Sequence, residues 1–543
     1  MPTATPPRAK HVHLDLPEDA GPALRAVAAI LRRQLTQRVG PRVLSPGHQT
    51  FTISLRTLPS LPPQSYRIED AAPGAVRILG ADELGVLFGV GKLLRSSRFD
   101  LASFTPGTFR GSSAPKCSLR AVYLATHFNN YYEAAPIDDV IHYIQDLGLW
   151  GYNALLIHYP LWQFDGITDP AARTWLDRFK IICLETKRCG MRVGLTQTAN
   201  GCYRNTPAEF RRTDVPGNLR GNFGENLCPS KPLARAHLLN LYDELLDQFQ
   251  SVGLDYFGLG PYDEGGCACP QCWPWGARGY LSISREIVDH VRVRFPSCRI
   301  ILFTWGFENE NDLNPDGEWV GLAAALRQDK SWVDFIMADG HDDYFPKYLL
   351  DHGVPGGLPL VNFPEISMFR MHPWGGFGAN PGPAHFQFLW DRIKHLDDGG
   401  SPYSEGIYED INKAVVAAFY WDPDRKAMDT VKEYLAAEFT PDAVDDLSRV
   451  VQIFEENHRR DNIRQSALRA FEIVQSVEKQ LTPHARQSWR WRIFFLRALI
   501  DRELYLNGVK YEGPTLKLAF DELTRIYHAQ NVISAPLQPP QLE

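Results

Sequence analysis

An adjacent pair of acids, Asp263 and Glu264, is the feature of this sequence best suited to chemistry. The pair directly follows an apolar run at 256–261 that has the character of a buried strand. Because side chains alternate along a strand and its exit, neighbouring carboxyls point to different parts of one site. One carboxyl can then donate a proton while the other orients a substrate. Such pairs also occur in solvated surface turns, and that alternative stays open for the pair alone.

Three cysteines follow the acid pair closely in the pattern Cys-x-Cys-x-x-Cys, namely Cys267, Cys269 and Cys272. This spacing is typical of metal binding by thiolates in a reducing compartment. Cys228 could supply a fourth thiolate, in competition with Cys202. Four sulfurs around one ion form a closed structural zinc site with no open position for a substrate. We therefore expect structural zinc and no catalytic cofactor, with disulfide bonds as the alternative.

Composition excludes several classes of partner. The chain has 543 residues, of which 44% are hydrophobic and 22% charged, which is enough for two or three domains with a large core. Its formal net charge of -7 does not favour a nucleic-acid partner. No apolar run is long enough to cross a bilayer, and residues 1–10 lack the apolar segment of a secretory signal.

Cysteine usage predicts the compartment. The nine cysteines, an odd number with one tight cluster, do not resemble a secreted disulfide framework. We therefore expect a cytoplasmic protein without a membrane partner, with a trimmed signal sequence as the alternative. No oligomeric state is predicted.

Apolar periodicity divides the chain into three predicted parts. Residues 1–112 are expected to form a small α/β domain, with strands at 12–16, 50–55, 66–69 and 76–80 and helices at 22–37 and 81–94. Residues 426–543 are expected to form a helical domain, with helices at 428–438, 443–456, 463–480 and 485–506.

The middle part, residues 113–425, alternates strand and helix patterns. Eight strands are predicted at 119–125, 153–158, 192–197, 256–261, 300–305, 335–338, 359–363 and 403–408. This alternation predicts an α/β fold, a (β/α)8 TIM barrel. An open doubly wound sheet is the competing topology, but no glycine-rich phosphate loop follows the first strand.

Polar and aromatic residues recur just after the predicted strands. A TIM barrel forms its active site at this carboxyl-terminal rim. The candidates for substrate contact are His127, His158, Trp305, Tyr344, Glu365, Trp374, Glu405 and Tyr408. For the histidines and Trp305, packing in the core is the alternative interpretation.

Several stretches together resemble family 20 glycoside hydrolases, the β-N-acetylhexosaminidases. The chain looks like a distant relative of this family. The family carries an Asp-Glu pair at the end of strand four. Residues 66–94 resemble its small preceding domain, and 118–120, 152–158 and 403–405 are similar to its first-, second- and last-strand motifs. The usual His-x-Gly-Gly before the acid pair is replaced here by residues 258–262, and the cysteine cluster and helical tail are not standard.

The resemblance implies an exo-β-N-acetylhexosaminidase acting by retaining, substrate-assisted catalysis, in which the substrate's acetamido oxygen forms an oxazolinium intermediate. Glu264 would be the general acid and then the base, and Asp263 would orient the acetamide nitrogen. Arg120 and Glu405 would hold sugar hydroxyls, and Tyr344 would donate to the acetamide oxygen. For Arg120, a structural role at the base of the barrel is the alternative.

The implied substrate is a glycan or glycoside with a terminal β-linked N-acetylhexosamine. The choice between N-acetylglucosamine and N-acetylgalactosamine stays open, because loop geometry decides one epimeric hydroxyl. Two other functions remain as alternatives. One is another exo-glycosidase, such as a uronidase, and the other is a catalytically silent carbohydrate-binding barrel.

Overall fold

The computed structural model of the protein describes residues 8–48, 50–128, 130–215, 225–262, 265–307, 315–340, 345–367, 377–458 and 463–529. In chain order these residues form a small α/β layer, a closed barrel and a set of helices. Among the helices of these residues, none combines the length and apolar character needed to cross a membrane.

The first part contains a five-stranded sheet in the order β1-β2-β4-β3-β7. Its strands are β1 (His11–Asp15), β2 (Thr50–Thr57), β3 (Tyr66–Ala72), β4 (Ala75–Gly80) and β7 (Gly111–Ser113), and β5 (Arg98–Asp100) pairs separately with β6 (Ser103–Thr105). β3 and β4, which correspond to the strands predicted at 66–69 and 76–80, pair in antiparallel fashion as a hairpin. Helices α1 (Pro22–Val39) and α2 (Glu83–Ser96) pack against each other, and α2 also packs on the sheet.

The middle part is a closed barrel of parallel strands, as predicted. Its strands are β8 (Leu119–Leu124), β9 (Ala154–His158), β10 (Arg192–Thr198), β11 (Tyr256–Gly260), β12 (Arg299–Phe303), β13 (Phe335–Gly340), β14 (Leu360–Pro364), β15 (Asp397–Gly400) and β16 (Tyr403–Ser404). β15 and β16 both pair with β8 and so close the barrel. Alternate strand residues form a core cluster of their own that fills the interior, including Tyr123, Tyr256, Phe335 and Phe363.

Helices surround the barrel strands. They are α3 (Tyr131–Ala134), α4 (Ile137–Trp150), α5 (Pro170–Arg188), α6 (Pro232–Gln248), α7 (Gly279–Arg294), α8 (Pro315–Gln328), α9 (Lys347–His352), α10 (Pro383–Ile393) and α11 (Asp410–Trp421). Two of the helix patterns that alternate with the predicted strands, at 137–149 and 232–250, correspond to α4 and α6.

The eighth strand differs from its prediction. It was expected over 403–408, but β15 supplies its first half and β16 ends at Ser404. Gly399 has φ of 139°, and a Cβ on Gly400 would overlap the side chains of Asn362 and Tyr420. Close packing therefore requires two glycines in this strand. Strand propensity alone predicts a loop for such a composition.

The last part is helical, as predicted. Its helices are α12 (Ala427–Glu438), α13 (Val444–Glu456), α14 (Ser466–Glu478), α15 (Pro483–Gln487), α16 (Trp489–Leu506) and α17 (Pro514–Ile526). The single helix expected over 485–506 is broken at Ser488, whose Oγ accepts a hydrogen bond from the Trp491 N–H and caps α16. α17 was not predicted. The domain boundaries near residues 112 and 425 stay predictions.

Candidate active site

The acid pair belongs to the loop that follows β11, the fourth strand of the barrel. Asp263 and Glu264 lie outside the described residues, as do Tyr344 and Trp374. The residues just before the pair are firmly held, because the buried Trp275 indole donates a hydrogen bond to the Pro261 carbonyl at 2.6 Å. The loop therefore leaves the strand from a fixed position at the rim.

The residues just after the acid pair are held equally well. Arg212 Nη1 donates to the carbonyls of Gly265 and Gly266 at 2.7 and 2.8 Å. The side chain of Asn200, just beyond the end of β10, also binds Gly266 and donates to the Leu227 carbonyl at 2.7 Å. Asn200 is fully buried. The described residues on both sides of the Asp-Glu pair are therefore anchored to the barrel.

Two predicted histidines lie side by side at the ends of β8 and β9. The ring centroids of His127 and His158 are 4.7 Å apart, and both side chains are buried. The His158 Nδ1 lies 3.3 Å from Thr196 Oγ1, and the Thr126 hydroxyl accepts the His158 N–H at 3.0 Å. The structure thus brings these two predicted site residues together at the rim.

Aromatic rings lie across the barrel interior near the same end. Tyr123 stacks on Tyr403 with ring centroids 5.7 Å apart, and Phe363 meets Tyr123 edge to face at 5.2 Å. Trp305, which is only partly buried, meets Phe363 edge to face at 6.3 Å. These rings provide apolar surface of the kind that lines small-ligand sites.

Two predicted carboxyls also lie at this rim. Glu405 is 1% exposed, and its two oxygens accept hydrogen bonds from Tyr403 at 2.7 Å and Tyr408 at 3.4 Å. Burial, together with the nearby Glu405, raises the pKa of Tyr403 well above its ordinary value, so the phenol stays protonated and donates. The Glu365 carboxylate accepts the Ser367 N–H at 2.6 Å.

Sequence reasoning missed the ion pair that holds Glu405 in place. Glu409 and Lys413, four residues apart and both fully buried, lie 3.1 Å apart at the start of α11. Glu409 Oε1 also accepts the N–H groups of Glu405 and Gly406 at 3.0 and 3.1 Å. Burial lowers the pKa of Lys413. The i,i+4 Glu-Lys spacing was the available signal, but it is common on exposed helix faces.

The predicted sugar-binding role of Arg120 is wrong. Arg120 is the second residue of β8, so it lies at the base of the barrel, and it is completely buried. Its guanidinium donates to the carbonyls of Gly151 and Cys117, both at 2.8 Å, and to Gln64 Oε1 at 2.7 Å. The structural alternative is therefore correct.

The four predicted metal ligands lie together. The Sγ atoms of Cys228, Cys267, Cys269 and Cys272 all lie within 4.8 Å of one another, and all four residues are buried. Cys202 is not among them, since its thiol contacts the Glu225 carbonyl at 3.2 Å. All nine cysteines fall within the described residues and are free thiols. The alternative of disulfide bonds therefore does not describe this structure.

No family model matches the chain, and no curated protein matches it. Solved structures with a similar fold include glycoside hydrolases of several families. A family 115 4-O-methyl-α-glucuronidase with specificity for decorated arabinogalactans is 10% identical, with 96% of this chain and 76% of that chain covered, at a TM-score of 0.61. The family 89 glycoside hydrolase from Clostridium perfringens is 12% identical, over 94% of this chain and 66% of that one, at a TM-score of 0.61.

A family 20 β-N-acetylhexosaminidase from Streptomyces coelicolor A3(2) is 16% identical, with 84% of this chain and 93% of that chain covered, at a TM-score of 0.50. The predicted resemblance to family 20 is thus confirmed at the level of the fold. The same similarity of fold extends to families 89, 115 and 138. At these identities the shared property is the fold alone.

Proposed function

We propose that this protein is a glycoside hydrolase, and specifically an exo-β-N-acetylhexosaminidase that retains anomeric configuration. The observation that carries the proposal is the buried Glu405, fixed by two tyrosine hydroxyls at the rim where the fourth strand ends, and Asp263 and Glu264 follow that strand in the sequence. Strands four and eight face each other across an eight-stranded barrel. A sugar held by Glu405 would therefore present its anomeric carbon toward the acid pair.

The proposed reaction is substrate-assisted. The acetamido oxygen of the substrate attacks the anomeric carbon, the glycosidic bond breaks, and Glu264 gives its proton to the leaving oxygen. Water then opens the oxazolinium intermediate and transfers a proton back to Glu264. Asp263, as a carboxylate, accepts the acetamide N–H and stabilises its developing positive charge. The pair must therefore hold one protonated and one ionised carboxyl.

The remaining rim residues would bind the sugar. Glu405 accepts hydroxyl protons, which are charge-assisted hydrogen bonds. Trp305 has partly exposed surface that can pack against the face of a sugar ring. His127 and His158, whose rings lie side by side at the rim, would contact hydroxyls or the acetamido group.

An exo-acting uronidase is the second candidate, because the similar structures include an α-glucuronidase. The buried carboxylates Glu365 and Glu405 favour a neutral sugar, since a uronate would bring a third negative charge to a poorly solvated site. A silent binding protein would have no use for a proton donor, so the acid pair favours an enzyme.

A panel of 4-nitrophenyl glycosides tests the proposal. We expect hydrolysis of β-N-acetylglucosaminide or β-N-acetylgalactosaminide, and none of glucuronides or of glycosides without the acetamido group. A thiazoline mimic of the cyclised acetamide should inhibit competitively. Hydrolysis of a glucuronide alone, or a covalent glycosyl-enzyme trapped on a barrel carboxylate, would contradict the mechanism, and sugar binding without hydrolysis would support the silent alternative.

Substitution of the acid pair separates its two roles. Glu264→Gln should lower kcat by about two to four orders of magnitude on poor leaving groups and by less on activated aryl groups. Asp263→Asn should lower kcat on both kinds of substrate, because the acetamide must be oriented in either case. Glu472→Gln, at an exposed acid on α14, is the matched control and should change neither. Equal losses on both substrates for Glu264→Gln would argue against its role as the acid.

A further inference from the structure

We propose that Cys228, Cys267, Cys269 and Cys272 bind one structural zinc ion that joins two loops of the barrel rim. Cys228 lies in the connection between β10 and α6, and the other three lie between β11 and α7. The ligands thus come from the loops after the third and fourth strands.

The separations of the sulfur atoms fit a single ion. Zinc binds thiolate sulfur at about 2.3 Å, so two sulfurs of a tetrahedral site lie about 3.8 Å apart. Cys228 Sγ lies 3.6 Å from Cys267 Sγ and 3.7 Å from Cys269 Sγ. A disulfide would need about 2.05 Å. An iron–sulfur cluster distributes its thiolates over several iron atoms, so its cysteine sulfur atoms must lie further apart than these do.

The surroundings of the cluster fit the charge of a zinc tetrathiolate, which is net negative. The Ser230 hydroxyl lies 3.0 Å from Cys228 Sγ and 3.4 Å from Cys269 Sγ, where it can donate to a thiolate. Arg212 and Arg235 lie close enough to interact electrostatically with thiolates of the cluster. Hydroxyl and cationic partners of this kind stabilise metal-bound sulfur.

The backbone already has the shape that the ligands require. The N–H groups of Cys272 and Trp273 both donate to the Cys269 carbonyl at 2.9 Å, which forms a tight turn between two of the ligands. The Gly279 N–H donates to the Cys272 carbonyl at 3.1 Å and joins this turn to the start of α7. Cys269 and Cys272 are therefore fixed relative to each other without a cross-link to Cys228.

The zinc would act as that cross-link. Cys267 follows Glu264 by three residues, so the ion would tie the acid-bearing loop to the loop after β10. Structural zinc contributes folding free energy directly. This consequence for the acid pair rests on the proposed function, whereas the metal site itself does not.

Metal analysis of the full-length protein, purified without chelator, tests the site. We expect about one zinc per chain in the wild type. Cys269→Ser should lose most of the zinc, whereas Cys202→Ser, at a neighbouring buried cysteine outside the cluster, should keep it. Cys272→His should also keep it, since histidine is a zinc ligand, which guards against loss of metal through misfolding. Iron in place of zinc, disulfides in the wild type, or full zinc in folded Cys269→Ser would overturn the proposal.

Two further measurements do not depend on catalysis. Cobalt substitution should give a thiolate-to-cobalt charge-transfer band in the wild type and in Cys202→Ser, and Cys269→Ser should lack it. A strong chelator should lower the Tm of the wild type and leave that of Cys269→Ser unchanged. A protein inactive on every glycoside would still show these results, and a protein without zinc could still hydrolyse them, so the two proposals fail separately.

Discussion

Asn200 binds Gly266 through both polar groups of its side chain. Its Oδ1 accepts the Gly266 N–H at 2.9 Å, and its Nδ2 donates to the Gly266 carbonyl at 3.1 Å. The same Nδ2 donates to Leu227, the neighbour of Cys228, at 2.7 Å. One buried amide therefore holds the segment after the acid pair and the loop that carries the fourth cysteine.

Asn200→Ala should lower both stability and turnover. The loss of these buried hydrogen bonds should cost about 2–3 kcal/mol of unfolding free energy. Displacement of the acid pair should lower kcat by up to about a hundredfold. Asn153→Ala is the matched control, because Asn153 makes three similar hydrogen bonds at the base of the barrel. It should lose similar stability and keep its kcat, and equal kcat values for the two variants would contradict the positioning role.

Glu405→Gln should weaken substrate binding. A hydrogen bond to a charged acceptor contributes about 1.5–3 kcal/mol to binding. If the neutral amide loses this contribution, kcat/KM should fall by about 10- to 150-fold, mainly through a higher KM. Tyr408→Phe removes only the longer hydrogen bond to Glu405, at 3.4 Å, and should have a smaller effect. Steady-state kinetics on the best glycoside measure both. An unchanged KM in Glu405→Gln would remove this residue from the binding site.

Arg120→Met should destabilise the protein without changing KM. Burial lowers the pKa of the Arg120 guanidinium to about 9, so it is still protonated at neutral pH. Its removal leaves the Gly151 and Cys117 carbonyls without this donor and removes one of the two hydrogen bonds to Gln64 Oε1, at a cost of about 2–4 kcal/mol. Urea unfolding and KM of the folded fraction check this, and a raised KM would restore the sugar-binding interpretation.

The free energy of unfolding should depend on pH through the ionisation of Glu433. Burial raises its pKa, but Arg95, Lys92 and Arg425 outweigh burial and hold the pKa at about 2. Arg95 contributes most to this lowering, followed by Lys92, which also donates a hydrogen bond, and by Arg425. Because the folded pKa lies below the unfolded one, the carboxylate stabilises the fold above its ordinary pKa, and this contribution is lost as the pH falls toward about 2.

Glu433→Gln should therefore lower the unfolding free energy at neutral pH by about 2–4 kcal/mol. The difference from wild type should shrink steadily as the pH falls from about 5 to about 2. Denaturant unfolding at several pH values measures this difference. Glu472→Gln, at an exposed surface pair, should show no such trend, and a constant gap for Glu433→Gln would contradict the assignment.

Apolar runs were sufficient to predict the first seven barrel strands to within about two residues. A buried parallel strand needs a continuous apolar stretch, and these stretches were present. The eighth strand was misplaced because its first half contains Gly399 and Gly400, whose small size is required only by the packing of neighbours distant in sequence. The sequence alone does not show which residues will pack against these two glycines.

Site residues were predictable where position on a strand decides their location. His158 is the last residue of its strand, Glu405 directly follows one, and both lie at the rim. Arg120 begins its strand, and about five residues of extended chain, some 16 Å, separate it from that rim. The resemblance to family 20 assigned Arg120 to sugar binding, although this distance argues against that role. The choice between Cys228 and Cys202 depended on how two loops approach each other, which spacing does not determine.

The position of Arg120 also determines where the chain can be cut. Its guanidinium lies over the rings of Phe88 and Trp421, 5.1 and 5.3 Å from their centroids, and binds Gln64. A fragment that began at residue 113 would lack both Phe88 and Gln64 and would leave the Arg120 guanidinium with the Trp421 ring alone of the two. The first hundred residues therefore cover the base of the barrel at Arg120, and we expect the barrel to lose stability when it is expressed without them.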